Sequence, residues 1–154
     1  MPKAKTLEEA YDFCLANGQF TSLNEVNIEK VKSLMENAEI NINSALILAK
    51  AIEKNAKEWM NVFTLHYEAL RIYAEALLHL EKMTTANHQG LFAALCQKFS
   101  YLDLDWDFLE RIRTKRNGIN YFGERVTFED WKSVEVQIKL YLSALRKKLE
   151  ERCR

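Results

Sequence analysis

Ala56-Lys-Glu-Trp-Met-Asn-Val-Phe-Thr-Leu-His-Tyr-Glu-Ala-Leu-Arg-Ile-Tyr-Ala-Glu-Ala-Leu-Leu-His-Leu-Glu-Lys-Met83 is the stretch that decides the fold. Trp59, Val62, Phe63, Tyr67, Leu70, Tyr73, Ala74, Leu77, Leu78 and Leu80 recur at steps of three and four, not at the two-residue alternation of a strand. The set spreads widely around the helix, wider than one neighbour can cover, so the spacing predicts a central helix packed on more than one side.

The same period runs outward in both directions. Pro2 is the only proline and there are only four glycines, so little in the chain interrupts a helix. A first helix starts at Thr6, with Glu9 placed for a capping box, and stops before Asn17-Gly18; a loop from Gln19 to Leu23 leads to Asn24. Helical spacing then runs from about Glu25 to Asn55. Ile40 and Ile42 alternate there with Asn41 and Asn43, so two readings stand: one helix, or a break at Glu39 to Asn43 with Ser44 capping a second. After the central helix, Thr84 to His88 is a linker, His88 to Phe99 a short helix and Asp103 to Asp105 a turn. Trp106 to about Ile119 is helical, Gly118 and Gly123 mark its exit, and Thr127 with Asp130 caps a last helix from Phe128 to about Arg152. Its core stripe is Trp131, Val134, Ile138, Tyr141, Leu142, Leu145 and Leu149. No run reads as a strand. The expectation is an all-α bundle of about four main helices with short extra helices, one domain over 1–154, with 1–23 as N-terminal helix and loop and 24–154 as the bundle.

Composition narrows the chemistry. Lys+Arg and Asp+Glu number 22 each, which argues against a protein that coats DNA by charge alone. Acids lead up to Leu80 and bases from Glu81 onward, so an anion site belongs in the second half. Cys14, Cys96 and Cys153 show neither disulfide nor zinc spacing, and no apolar run is long enough for a signal core or a membrane span; a soluble, reducing, cytoplasmic setting is the default. Gly-rich phosphate loops, a GxSxG elbow, a calcium loop and the ExxH pair of di-iron bundles are all absent from the sequence, so neither metal nor cofactor is expected. His66 and His79, thirteen residues apart, do not form a metal pair and read as partly buried or surface side chains; His88 reads as a helix start. Trp59, Trp106 and Trp131 read as core anchors.

One stretch stands apart: Arg111-Ile-Arg-Thr-Lys-Arg-Asn-Gly-Ile-Asn-Tyr-Phe-Gly123. Arg111, Arg113, Lys115 and Arg116 come without an acid among them, and amides and a phenol follow. On a helix, Arg113, Arg116 or Asn117, and Asn120 share a face. Guanidinium and amide groups so placed hold a phosphate, and Tyr121 can stack on a base. The plain alternative is a solvated basic stripe with a turn at Asn117-Gly118, Tyr121 in a core or interface, and Asn120 as a C-cap. Arg71, with Glu68 and Glu75 one turn to either side, is a further candidate.

Two places together resemble the HEPN superfamily of helical-bundle proteins: the long helix from His66 through Leu80 with Asn87-His88 in the linker after it, and Arg116-Asn-Gly-Ile-Asn-Tyr121 before a capped final helix. The resemblance covers roughly Asn43 to Lys148. It implies a homodimer. It also implies one of three roles: a metal-independent endoribonuclease, as in toxins of toxin–antitoxin pairs, a protein that only binds nucleotides, or a partner of a nucleotidyltransferase. Arg116 matches the motif Arg and Asn117 the polar residue beside it. The motif His falls at Tyr121, and the Tyr that some forms carry two residues later falls at Gly123. A tyrosine, titrating normally near pH ~10, exchanges protons poorly at neutral pH, and losing one proton carrier costs about 10²- to 10⁴-fold. The expected function is therefore RNA or nucleotide binding by Arg113, Arg116, Asn117, Asn120 and Tyr121 at a degenerate, non-catalytic site in a stress or defence module. The alternatives are an endoribonuclease with Arg116 and Tyr121 as catalytic residues, and a helical scaffold with no nucleic-acid role.

Overall fold

The computed structural model describes residues 3–154. Its helices are α1 (Leu7–Ala16), α2 (Ile28–Ala51), α3 (Trp59–Leu80), α4 (His88–Lys98), α5 (Trp106–Phe122) and α6 (Phe128–Arg152). A two-residue antiparallel pair joins β1 (Thr21–Ser22) to β2 (Met83–Thr84), and a short 3-10 turn spans Ser100–Leu102. The protein is an all-α bundle. No helix among the described residues is long and apolar enough to cross a membrane.

α3 is the axis. It packs against α2, α4, α5 and α6, and Val62, Phe63, Tyr67, Leu70, Tyr73, Leu77 and Leu78 are buried around it. It starts at Trp59 and not Ala56, because residues 53–58 turn back so that Trp59 Nε1 donates to Glu53 O at 2.9 Å. It stops at Leu80 and not Met83, because Lys82 takes the left-handed conformation (φ 58°) and Met83 pairs with Ser22. The histidines of α3 are both buried, against the expectation of partial exposure. His66 stacks on Trp131, and His79 Nε2 accepts the Asn27 N–H at 3.0 Å where α2 begins.

α2 is one helix without a break at Glu39 to Asn43. Val31, Ala38 and Ala45, seven residues apart, form a continuous buried stripe that keeps its phase through that segment. It begins at Ile28, not Glu25, because the Asn27 side chain accepts from Lys30 N. α1 docks on α4 where Gly90 leaves room for the buried Cys14 thiol, and Asn87 Nδ2 donates to Gln19 Oε1 at 2.7 Å. Trp59, Trp106 and Trp131 are buried anchors, and Trp106 Nε1 also donates to Lys5 O at 3.0 Å.

Three caps set the site. Asn87 caps α4, its Oδ1 accepting from Gly90 N at 2.8 Å. Asp105 caps α5, which runs through Asn117 and Gly118 without a turn and ends at Gly123 (φ 65°), where the Glu124 N–H reaches back to Gly118 O at 3.1 Å. Thr127 and Asp130 form a reciprocal capping box on α6.

Candidate anion-binding cleft

The first turn of α4 and the C-terminal half of α5 face each other across an open cleft of about 450 Å³. α5 contributes Arg113, Arg116, Asn117 and Tyr121; the α4 side contributes Asn87, His88 and Gln89. The α4 end is favourable to anions, since the leading N–H groups and dipole of a helix carry partial positive charge.

Each arginine here is braced by an acid. Arg113 grips Glu110 through Nε to Oε1 at 2.7 Å and Nη2 to Oε2 at 2.8 Å, and that pairing raises its pKa. Gln89 Nε2 donates to the same Oε2 at 2.8 Å, so Glu110 latches α4 to α5. Behind the cleft, Arg71 is held between Glu68 (2.9 Å) and Glu75 (3.0 Å). Arg116 is held more loosely. Its Nη2 lies 3.5 Å from the other Glu68 oxygen, and its guanidinium sits 5.8 Å from the centroid of the Tyr67 ring. Asn120, with its amide oxygen turned to the guanidinium, accepts from Arg116 Nε at 3.2 Å and Nη2 at 3.3 Å. Of these three guanidiniums, Arg116 has the longest ion pair, so it exchanges its carboxylate for an incoming anion at least cost.

His88 completes the cleft. Its Nδ1 is 3.3 Å from the hydroxyl of Tyr67, which is fully buried. Burial pushes the Tyr67 pKa well up, against the pull of Arg116 and Arg113, so the phenol keeps its proton. When that O–H donates to Nδ1, the imidazole carries its own proton on Nε2. Burial, then Arg71 and Arg116, hold the His88 pKa below its ordinary value, so the ring is neutral at pH 7. A neutral imidazole in a cleft with a guanidinium can donate a hydrogen bond or move a proton.

The basic run of α5 is thus divided. Arg113, Arg116, Asn117 and Tyr121 share the cleft, with Asn120 bracing Arg116. Arg111 and Lys115 face a separate hollow of about 290 Å³, floored by Phe63, Val126 and Val134, where Lys115 Nζ lies 3.7 Å from Glu124 Oε2. Tyr121 is 72 % exposed, so it is not a core tyrosine. Asn87, His88, Gln89, Tyr67 and Glu110 belong to the site although nothing in the sequence marked them as site residues. His88 is a helix start as expected, at the first position after the Asn87 cap, and it is also a wall of the cleft.

Comparison with family models, curated proteins and solved structures returns no match to this chain.

Proposed function

We propose that the protein binds the phosphate of RNA or of a nucleotide in this cleft without cleaving it, as a HEPN-like bundle with a degenerate site. The observation that carries the reading is Arg116: a loosely paired guanidinium, braced by Asn120 and Glu68, opening on a polar cleft of about 450 Å³. Arg116 forms charge-assisted hydrogen bonds to the phosphate, Asn117 and the His88 Nε2–H position it, and Tyr121 offers a face for a base. On this reading the protein works as a homodimer in a stress or defence module, beside an antitoxin or a nucleotidyltransferase-type partner. Titration with labelled RNA over a range of salt tests it. Affinity falls as salt rises, and Arg116→Ala removes most of it; salt-independent binding, or an unchanged Arg116→Ala, refutes it.

One observation favours a second reading, a metal-independent endoribonuclease. His88 stands in the cleft with Arg116 and offers the proton carrier that Tyr121 cannot. Arg116 then stabilises the charge that develops on the attacked phosphate, and His88, in the tautomer whose Nδ1–H donates to the Tyr67 hydroxyl, takes the nucleophile's proton on its free Nε2. Incubation of RNA in chelator with wild type, Arg116→Ala, Tyr121→Phe and His88→Ala decides between the two. Cleavage that disappears in Arg116→Ala and His88→Ala establishes the enzyme; intact RNA throughout leaves the binding protein.

A further inference from the structure

The two most exposed aromatic side chains of the described protein are neighbours, Tyr121 at 72 % and Phe122 at 81 %, and they close α5 beside the cleft. They point different ways. Tyr121 follows Asn117 by four residues and lines the cleft with it. Phe122 follows Lys115 by seven residues and so shares the face that carries Lys115 and its hollow. An apolar ring this exposed at a helix end costs solvation and is informative where it adjoins charge of one sign.

Cations lie on both sides of the pair. Arg113 and Arg116 are on the cleft side. On the other side the exposed Arg111 lies 5.2 Å from the centroid of the Phe108 ring, and Lys115 meets only a half-exposed Glu124 at 3.7 Å. Such a surface pair contributes little and yields readily to a phosphate. The end of α5 therefore presents guanidinium, ring, ring and ammonium in sequence around the helix. Exposed rings flanked by cations are an arrangement that holds an unpaired strand, phosphates on the charges and bases on the rings. A free nucleotide fills only the cleft side, and a duplex hides its base faces from both rings.

We infer that the site is a track for single-stranded nucleic acid that enters at Arg116, crosses Tyr121 and Phe122, and leaves over Arg111 and Lys115. The inference rests on the phosphate reading of the cleft and narrows its ligand from nucleotide or RNA to an unpaired strand. Ribose and deoxyribose strands share this chemistry, and their relative affinity tells which is the natural ligand.

The test is fluorescence anisotropy with labelled oligouridylate and oligothymidylate, the uridylate strand annealed to its complement, and ATP as competitor. Variants are Arg116→Ala, Phe122→Ala and the double Arg111→Gln/Lys115→Gln, with thermal midpoints to confirm that these surface changes leave the fold intact. The expected result is single-strand binding that Arg116→Ala abolishes, that Phe122→Ala weakens about tenfold, and that the double variant weakens with a shallower salt dependence, with the duplex and ATP binding more weakly than the strand. If Arg116→Ala removes binding while Phe122→Ala and the double variant leave strand affinity unchanged, the track is wrong and the phosphate cleft stands alone. If no probe binds, or Arg116→Ala binds normally, both fall. If Phe122→Ala splits a dimer at unchanged strand affinity, the rings are a self-association surface and the track is wrong.

Discussion

Arg113 and Arg116 sit one turn apart on α5 and share the cleft, yet their partners assign them different work. Arg113 closes two short bonds on Glu110, whose second oxygen also takes the Gln89 amide. Arg113→Ala therefore leaves the half-buried Glu110 carboxylate without its bidentate partner and loosens the oxygen that Gln89 holds across α4 and α5, with an expected loss of about 1–3 kcal/mol of stability in urea unfolding. Arg116 has only a 3.5 Å ion pair to Glu68, beside the neutral Asn120 amide and the Tyr67 ring, so Arg116→Ala costs less stability than Arg113→Ala and lowers phosphate affinity about tenfold or more, read by titration. If the two variants exchange these effects, the roles are reversed. His88 adds a pH dependence. Burial and the arginines keep it neutral at pH 7, and a bound phosphate offsets the arginine charge and favours the imidazolium. Binding should then take up a proton and tighten as pH falls towards and below the ordinary histidine value of about 6.5. His88→Ala should flatten that profile, as followed by isothermal titration at several pH values.

At the scale of elements, two buried glycines make opposite demands. A Cβ at Gly90 would run into the Cys14 thiol, which is 1 % exposed and has nowhere to go. Gly90→Ala is expected to cost about 1–3 kcal/mol and to loosen α1 from α4, with much of the loss recovered when Cys14→Ala is added. At Gly118 the obstruction is the tip of the half-exposed Glu124 side chain, which can swing aside. Gly118→Ala should be tolerated, since alanine is the better helix former by about 1 kcal/mol. Thermal midpoints of the three variants check both claims. The same contrast shows what the sequence made legible. Periodicity located every long helix, because burial on α3 and α6 repeats at helical spacing and the caps at Thr6 and Thr127 are local. Ile40 and Ile42 misled: the phase of α2 is set by the small residues Ala38 and Ala45, while Ile40 is 55 % exposed. The β1–β2 pair was illegible at two residues per strand, with partners sixty-odd positions apart. Arg116 and Tyr121 were readable because they lie on one helix. His88 was not, because it reaches Arg116 only through the packing of α4 on α3 and α5.

Across the whole molecule, the histidines form a set. His66, His79 and His88 lie on or beside α3, and burial is the first cause that lowers each pKa. Lys139 adds to the effect at His66, Lys30 at His79 and Arg71 at His88, each against a nearby glutamate. Below the ordinary histidine value of about 6.5 the unfolded chain takes up protons that the folded chain refuses. The stability these neutral rings contribute is therefore complete above that pH and is lost as pH falls towards their depressed folded values. The capping box responds later. Its Thr127 hydrogen bonds hold the Asp130 carboxyl below its usual range, so that contribution persists until pH drops under about 4. Loss of stability between pH ~6.5 and ~5 thus belongs to the histidines. His66 is the cleanest probe, being 1 % exposed and stacked 4.5 Å from Trp131. His66→Phe keeps a planar ring in that stack and leaves nothing to protonate. Urea midpoints measured across this range should be level above pH ~6.5 and fall below it in the wild type, and His66→Phe should fall less steeply. An equal slope in both proteins would mean that acid reaches the fold through His79, at the end of α3, or His88, at the start of α4, and that the Trp131 stack stays closed to protons.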